Sequence, residues 1–210
     1  MSALFASPIT LFLLVVILLT SGYALFFDRS FIDRLAFKPY LVLRHRQYAR
    51  LITAGFVHVS GAHLLFNMIT LYFFGPPMEY ALGPGSFLVL YFGSELAAHG
   101  LSLALHRHSV TYAAVGASGA ISGVLFGYCL FAPLQPIQIF FVPIGIPAAL
   151  FAVGYVVVSM YAMRRSHGSA GGGIAHEAHL GGALGGLMLT ILLEPRAVEV
   201  FLRQLGMIGG

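Results

Sequence analysis

The sequence predicts an all-α fold, a polytopic membrane protein built as a bundle of six transmembrane helices. Of the 210 residues, 59% are hydrophobic and only 9% are charged. A soluble domain of this size needs more charge on its surface to stay in solution. The apolar residues also fall into six runs, each near the ~20 residues that a helix needs to cross a bilayer.

The first apolar run, residues 8–27, is predicted to be a retained span rather than a signal peptide. No lysine or arginine precedes it, and it is longer than a usual signal-peptide core. Residues 28–60 carry charges and the amphipathic stretch FIDRLAFKPYLVL, which indicate a loop at the membrane interface. Residues 1–210 are expected to form one membrane domain. The other five spans are predicted at residues 62–80, 87–105, 115–131, 140–163 and 174–193.

Charge and cysteine content narrow the possible functions. The formal net charge of +4 does not indicate nucleic-acid binding, because the basic residues concentrate in one loop and are not interleaved with aromatic residues. Cys129 is the single cysteine and lies in an apolar run, so no intrachain disulfide forms. The composition therefore indicates the lipid bilayer, and not nucleic acid, as the partner of this chain.

Polar residues gather at the N-terminal ends of three spans. In a six-span chain, spans two, four and six run in the same direction, so these ends lie on one side of the membrane. At 1.5 Å of rise per residue, a histidine or serine on each span falls within about the first two helical turns. This common depth predicts a functional site. The polar residues are His58, His63 and Asn67 at span two, Ser118 at span four, and His176, Glu177 and His179 at span six.

Ser118, in the stretch GASGA, has two interpretations. A serine among small residues is more often a helix contact than a reactive group. A histidine at the same depth favours a nucleophile, because a hydroxyl needs a base to take its proton. Glycines on either side, Gly116 among them, let the backbone turn and expose its amides, as an oxyanion hole requires.

Span two offers candidate partners for such an oxyanion. His63 and Asn67 are four residues apart and share one helix face. A buried asparagine often joins helices through hydrogen bonds, but the amide donor of Asn67 would point toward the level of Ser118. His58 precedes the span and is expected to have a structural role, hydrogen-bonding the loop.

Helix geometry favours His179 over His176 as the base. At 100° per residue, Gly182 lies about 60° to one side of His179, and Gly186 returns to within about 20° of it. Small residues at such spacing mark a face where a neighbouring helix comes close. If that neighbour is span four, His179 reaches Ser118.

Other protease chemistries fit the sequence poorly. A zinc protease needs H-E-x-x-H, whereas this chain offers only HEAH at residues 176–179. An aspartyl protease needs two aspartates in facing spans, but Asp28 and Asp33 both lie in the first loop.

Three further ionisable residues lie at membrane depth. Glu95 and His99 are four residues apart on span three, and a local polar pair is favoured there over a proton relay. Glu79, at the far end of span two, is expected to bond backbone amides of the next loop in a structural role.

In combination, these residues resemble the rhomboid family of intramembrane serine proteases. GASG is similar to the family's G-x-S-G and implies that Ser118 is the nucleophile. AHLGG resembles the sixth-span motif, which implies His179 as the general base. FVHVSGAHLLFN is similar to H-x(4)-H-x(3)-N, which carries oxyanion stabilisation onto His63 and Asn67. FFGPPMEYALG also resembles the family pattern, with Glu79 and Gly83 in structural positions.

The resemblance implies a six-helix bundle with a Ser-His dyad, no third acid, and neither a metal nor an organic cofactor. It further implies substrates that span the membrane and are cut near a small residue in an unstable stretch of helix. Two positions depart from the family pattern. Ala49 replaces a tryptophan beside Arg50, and Ser122 replaces an aromatic residue that supports the histidine.

Two alternatives to a protease are a membrane-protein-binding protein and a proton-coupled transporter. A non-catalytic rhomboid-like protein would bind membrane spans without cutting them, but it has no need for both Ser118 and His179. A proton-coupled transporter would need charged residues along several spans, and only Glu95 and His99 fit that requirement.

Loop charge and the family resemblance predict opposite orientations of the chain in the membrane. The first loop carries six of the 11 lysines and arginines, which by the positive-inside rule would put it in the cytoplasm. The resemblance instead implies that this loop and the active site face the extracytoplasmic side of a bacterial plasma membrane. We expect the latter, because an amphipathic loop can lie on the bilayer, where charge counting is less dependable. The basic residues are Arg29, Arg34, Lys38, Arg44, Arg46 and Arg50.

Overall fold

Helices form most of the chain in the computed structural model, which describes residues 3–138, 144–166 and 175–208. A 3-10 turn, Ala54–Phe56, precedes α5, and a short antiparallel hairpin pairs β1 (Pro136–Gln138) with β2 (Gly145–Pro147). The helices are α1 Pro8–Phe26, α2 Ser30–Leu35, α3 Pro39–His45, α4 Arg50–Thr53, α5 Gly61–Leu82, α6 Pro84–His106, α7 Ser118–Phe131, α8 Ala148–Ser166, α9 His176–Leu193 and α10 Arg196–Gln204.

Each predicted span overlaps one helix, but three starting points differ. Span three was predicted from residue 87, whereas α6 begins at Pro84. Span four was predicted from residue 115, whereas α7 begins at Ser118. The preceding residues are held by backbone hydrogen bonds instead, since Ala114 pairs with Phe37 in a β-bridge and Gly116 N–H donates to Ala54 O at 2.9 Å.

The start of span five also differs from the prediction. It was predicted from residue 140, but residues 145–147 form β2 and α8 begins at Ala148. Pro147 lacks the N–H that a helix interior needs, so a helix begins more readily after it than through it. Residues 140–143 of span five and residue 174 of span six lie outside the described residues.

Several described helices have the length and composition of membrane spans. Two of them, α1 and α6, are long and apolar enough to cross a bilayer. The segment Arg50–Phe56 and α5, which are bent by 96° relative to each other, make a third if the two count as one span. Shorter apolar helices are α7 and the Ala148–Tyr161 part of α8. The chain is thus a helical membrane protein, and six crossings remain a prediction.

Glycines bring α7 and α9 into backbone contact. A Cβ added to Gly182 would collide with the carbonyl group of Gly119, and one added to Gly186 would collide with the backbone of Gly123. Since no side chain separates the two helices at these levels, their first turns lie side by side.

Glu79 ties α5 to the start of α1, so the expectation that it bonds the loop after α5 was wrong. Its carboxylate accepts the backbone N–H groups of Ile9 at 2.9 Å and Thr10 at 2.7 Å, and the Thr10 hydroxyl at 2.8 Å. The first N–H groups of a helix have no partner within it, and Ser7 makes no side-chain cap for α1. Glu79 therefore supplies the missing acceptor.

Gly83 is the single residue between α5 and α6. Its φ of +78° lies in a region that residues with a side chain rarely adopt. The abrupt turn between the two helices accordingly requires glycine at this position.

Candidate active site

The side chains of Ser118 and His179 meet between the first turns of α7 and α9. His179 Nε2 lies 2.7 Å from Ser118 Oγ, and both residues are half-buried. Ser118 is the first residue of α7, and His179 is the fourth residue of α9. A neutral imidazole at this distance can accept the hydroxyl proton, which is the geometry that activates a serine nucleophile.

Two backbone amides lie beside this hydroxyl. The N–H groups of Ser118 and Gly119 belong to the first turn of α7, which has no internal acceptors for them. Within the described ranges, neither group has a hydrogen-bond partner. Free amides at the positive end of a helix are a ready site for an anion.

Gly116 has two reasons to be glycine. Its φ is +111°, and a Cβ added there would lie 2.5 Å from Cε1 and 2.8 Å from Nε2 of His63. The His63 imidazole thus lies against the backbone two residues before Ser118. Any side chain at position 116 would displace this ring.

Asn67 lies one turn below His63 on α5 and is only 5% exposed. Its amide nitrogen donates to the carbonyl oxygen of His63 at 3.1 Å. This bond uses one of the two N–H groups of the amide. The expected orientation of the donor toward Ser118 is therefore available only to the second N–H.

His58 is fully buried and links three parts of the structure. Its Nε2 lies 3.4 Å from Ala117 N, its Nδ1 lies 2.8 Å from Ser21 Oγ, and Ser21 Oγ donates to Phe56 O. Because Nε2 accepts the Ala117 N–H, Nδ1 must carry the proton. Burial, together with the nearby His63, lowers the pKa of His58 to about 3, so the imidazole stays neutral.

Glu177 of the HEAH stretch is directed away from its neighbouring histidines. Its Oε1 accepts the hydroxyl of Tyr112 at 2.6 Å and lies 3.1 Å from Nε2 of His106. These contacts join the start of α9 to the end of α6 and the following loop. The ring of His176 is 6.4 Å from that of His179, centre to centre.

At Ala49 and Ser122, the two positions that depart from the family pattern, other contacts are present. Beside Ala49, Arg50 Nη1 donates to the carbonyl oxygens of Ala36 at 2.6 Å and Asp33 at 3.1 Å, which holds the first loop together. Ser122 Oγ lies 2.9 Å from the hydroxyl of Tyr155 on α8. An aromatic residue thus reaches this level from a different helix, and no sequence spacing signalled it.

Known proteins are similar to this chain over the region that contains these residues. The family model described as the rhomboid domain matches residues 45–196. The rhomboid protease GluP of Bacillus subtilis (strain 168) is 30% identical over 147 residues, 70% of this chain and 26% of that protein. Rhomboid protein 1, mitochondrial, of Saccharomyces cerevisiae (strain ATCC 204508 / S288c) is 32% identical over 152 residues, 71% of this chain and 42% of that protein.

A third relative matches a shorter region. The putative rhomboid protease YdcA of Bacillus subtilis (strain 168) is 41% identical over 85 residues, which are 40% of this chain and 41% of that protein. In each of these three matches, the chain covers less than half of the relative's own length.

Acidification is expected to destabilise the fold through His58. The unfolded chain takes up a proton near the ordinary pKa of 6.5, whereas the folded protein does so only near 3. Stability from the neutral imidazole is therefore complete above pH 6.5 and falls as the pH drops toward 3, by up to about 1.4 kcal/mol per pH unit. Thermal unfolding in detergent between pH 7.5 and 4.5 measures this, with His58→Gln as the non-titrating control. Parallel curves for the two proteins would contradict the assignment.

Proposed function

Since the chain belongs to the rhomboid family, we propose that it is an intramembrane serine endopeptidase that hydrolyses peptide bonds in transmembrane-helix substrates with a Ser118–His179 dyad. The observation that carries this proposal is the 2.7 Å contact between His179 Nε2 and Ser118 Oγ. A packing serine has no need of an imidazole nitrogen, whereas a nucleophile depends on one.

The first step is acylation of Ser118. Its Oγ attacks the carbonyl carbon of the scissile peptide bond while His179 Nε2 takes the hydroxyl proton. The tetrahedral intermediate then collapses, the C–N bond breaks, and the imidazolium gives its proton to the leaving amine. Among the described residues, no carboxylate is hydrogen-bonded to the His179 imidazole, so the proposed unit is a dyad.

The oxyanion of this intermediate would be stabilised by donors around the start of α7. The free N–H groups of Ser118 and Gly119 are the nearest candidates. The His63 imidazole, packed against Gly116, and the second N–H of Asn67 complete the proposed set. Such donors act strongly because they are fixed before the charge develops.

The second step is hydrolysis of the acyl-enzyme. Water attacks the ester carbonyl as His179 Nε2 takes one of its protons, and Ser118 Oγ leaves with that proton restored. The product is a carboxylate, and the dyad returns to its starting state without a metal or an organic cofactor. We propose substrates that themselves span the bilayer, since the dyad lies between apolar helices of a membrane protein.

Substitution of the two histidines of α9 tests the dyad. With a model transmembrane substrate in proteoliposomes, Ser118→Ala and His179→Ala should abolish cleavage, because each removes a reacting group. His176→Ala is the matched control and should keep substantial activity. Cleavage that survives His179→Ala but not His176→Ala would move the base. Binding of the substrate with no cleavage by the unaltered protein would favour the non-catalytic alternative.

Loss of Asn67 tests the oxyanion assignment. Removal of one such donor typically costs about 10²–10³ in rate, so Asn67→Ala should lower kcat by that order while the thermal midpoint changes little. The kcat of the purified variant, measured together with its melting curve, checks this expectation. A variant that unfolds, or one that turns over normally, would show that Asn67 only joins helix turns.

We further propose that the dyad faces the extracytoplasmic side of a bacterial plasma membrane. A His45→Cys substitution in a Cys129→Ser background reports the side, because residue 45 is exposed at the end of α3. An impermeant thiol reagent should label intact cells. Labelling only after lysis would mean that the charge of the first loop sets the orientation.

A further inference from the structure

Glu95 is a buried carboxyl group directly beside the start of α7. It lies in the middle of α6 and is only 2% exposed. Its Oε2 accepts the backbone N–H of Ala120 at 2.9 Å. Ala117, which precedes α7, makes no side-chain cap. Glu95 thus supplies, from a neighbouring helix, the acceptor that a capping residue normally provides.

The same carboxyl group contacts the turn Ala54–Phe56, which holds the residues before Ser118. A Cβ added to Gly55 would lie 2.9 Å from Glu95 Oε1, so the turn Ala54–Phe56 packs directly on that oxygen. The carbonyl of Ala54 in this turn accepts the N–H of Gly116. Glu95 therefore lies between the first turn of α7 and the segment that leads into Ser118.

The burial of Glu95 costs folding free energy that a residue with only a packing role would not need to spend. Oε1 has no hydrogen-bond partner among the described residues, and the nearest basic group is His99 Nε2 at 3.7 Å. Leaving a buried polar atom without a partner costs free energy that an apolar side chain would not. Glu95 also lines a cavity of about 20 Å³, together with Ser118, Gly119 and Ala175.

We propose that Glu95 is a positioning residue for the nucleophile, which fixes the rotation and depth of the first turn of α7 so that Ser118 Oγ stays at hydrogen-bond distance from His179. This inference rests on the proposed function. Glu95 acts through the Ala120 N–H bond and through contact with Gly119, whose Cβ would lie 3.0 Å from Oε2. A misplacement of about 1 Å at a reacting group can cost roughly 100-fold in rate.

Three substitutions at position 95 test this role. Glu95→Ala removes the acceptor, Glu95→Met removes it while filling the volume, and Glu95→Gln keeps a carbonyl oxygen for the Ala120 N–H. With the full-length protein and a model transmembrane substrate, we expect kcat to fall at least about tenfold for the first two, with KM within about twofold. Glu95→Gln should stay within about threefold in kcat, because the hydrogen bond that positions the turn is retained.

Ser102→Ala is the matched control, since Ser102 is another fully buried polar residue of α6, two turns further along. It should keep kcat within about twofold. The inference is overturned if kcat is unchanged in both Glu95→Ala and Glu95→Met, or if Glu95→Gln loses as much as Glu95→Ala. Failure of the proposed function looks different, because either the unaltered protein would then not cleave the substrate at all, or Ser118→Ala would cleave it equally fast.

Discussion

A side chain at Gly182 of α9 would overlap the backbone of Gly119 in α7, and one at Gly186 would overlap the backbone of Gly123. Serine is a short side chain, so close packing of the two helices brings its hydroxyl within reach of a histidine on the other helix. Ser118 lies one residue before Gly119, and His179 lies one helical turn before Gly182. The backbone contact at these glycines therefore brings the two side chains to the observed 2.7 Å distance. The proposed dyad therefore depends on this helix packing.

Helix packing alone does not fix where α7 begins. Its first turn has no capping side chain of its own, and the residues before it are not helical, since Ala114 pairs with Phe37 in a β-bridge. Three contacts from elsewhere in the fold hold this start. Ala54 accepts from Gly116, His58 accepts from Ala117, and Glu95 accepts from Ala120. Ser118 lies between these bonds, and its own amide and that of Gly119 have no hydrogen-bond partner in the described part of the chain.

Spacing in the sequence was enough to select the residues that the structure brings together. Parallel spans of known length put Ser118 and His179 at one depth, and the glycines after His179 distinguished it from His176. The roles of these residues in catalysis stay predictions. The family itself, predicted from the four motifs, is confirmed by the match over residues 45–196.

Contacts between residues far apart in the chain could not be predicted from the sequence. The partner of Glu79 is the start of α1, about 70 residues away along the chain, and no local pattern links the two. Tyr155 reaches Ser122 from α8 without any spacing that indicates it. Hydropathy also extended span five back to residue 140, because it does not register that Pro147 favours a helix start after it.

The central claim is that His179 activates Ser118, and covalent labelling tests it most directly. A fluorophosphonate probe reacts with an activated serine, so its rate of reaction with the purified protein, followed by mass spectrometry of the modified peptide, reports the dyad without a substrate. We expect modification at Ser118 that is absent in Ser118→Ala and strongly slowed in His179→Ala. Folded protein that is not labelled, or is labelled equally fast without His179, would contradict the account.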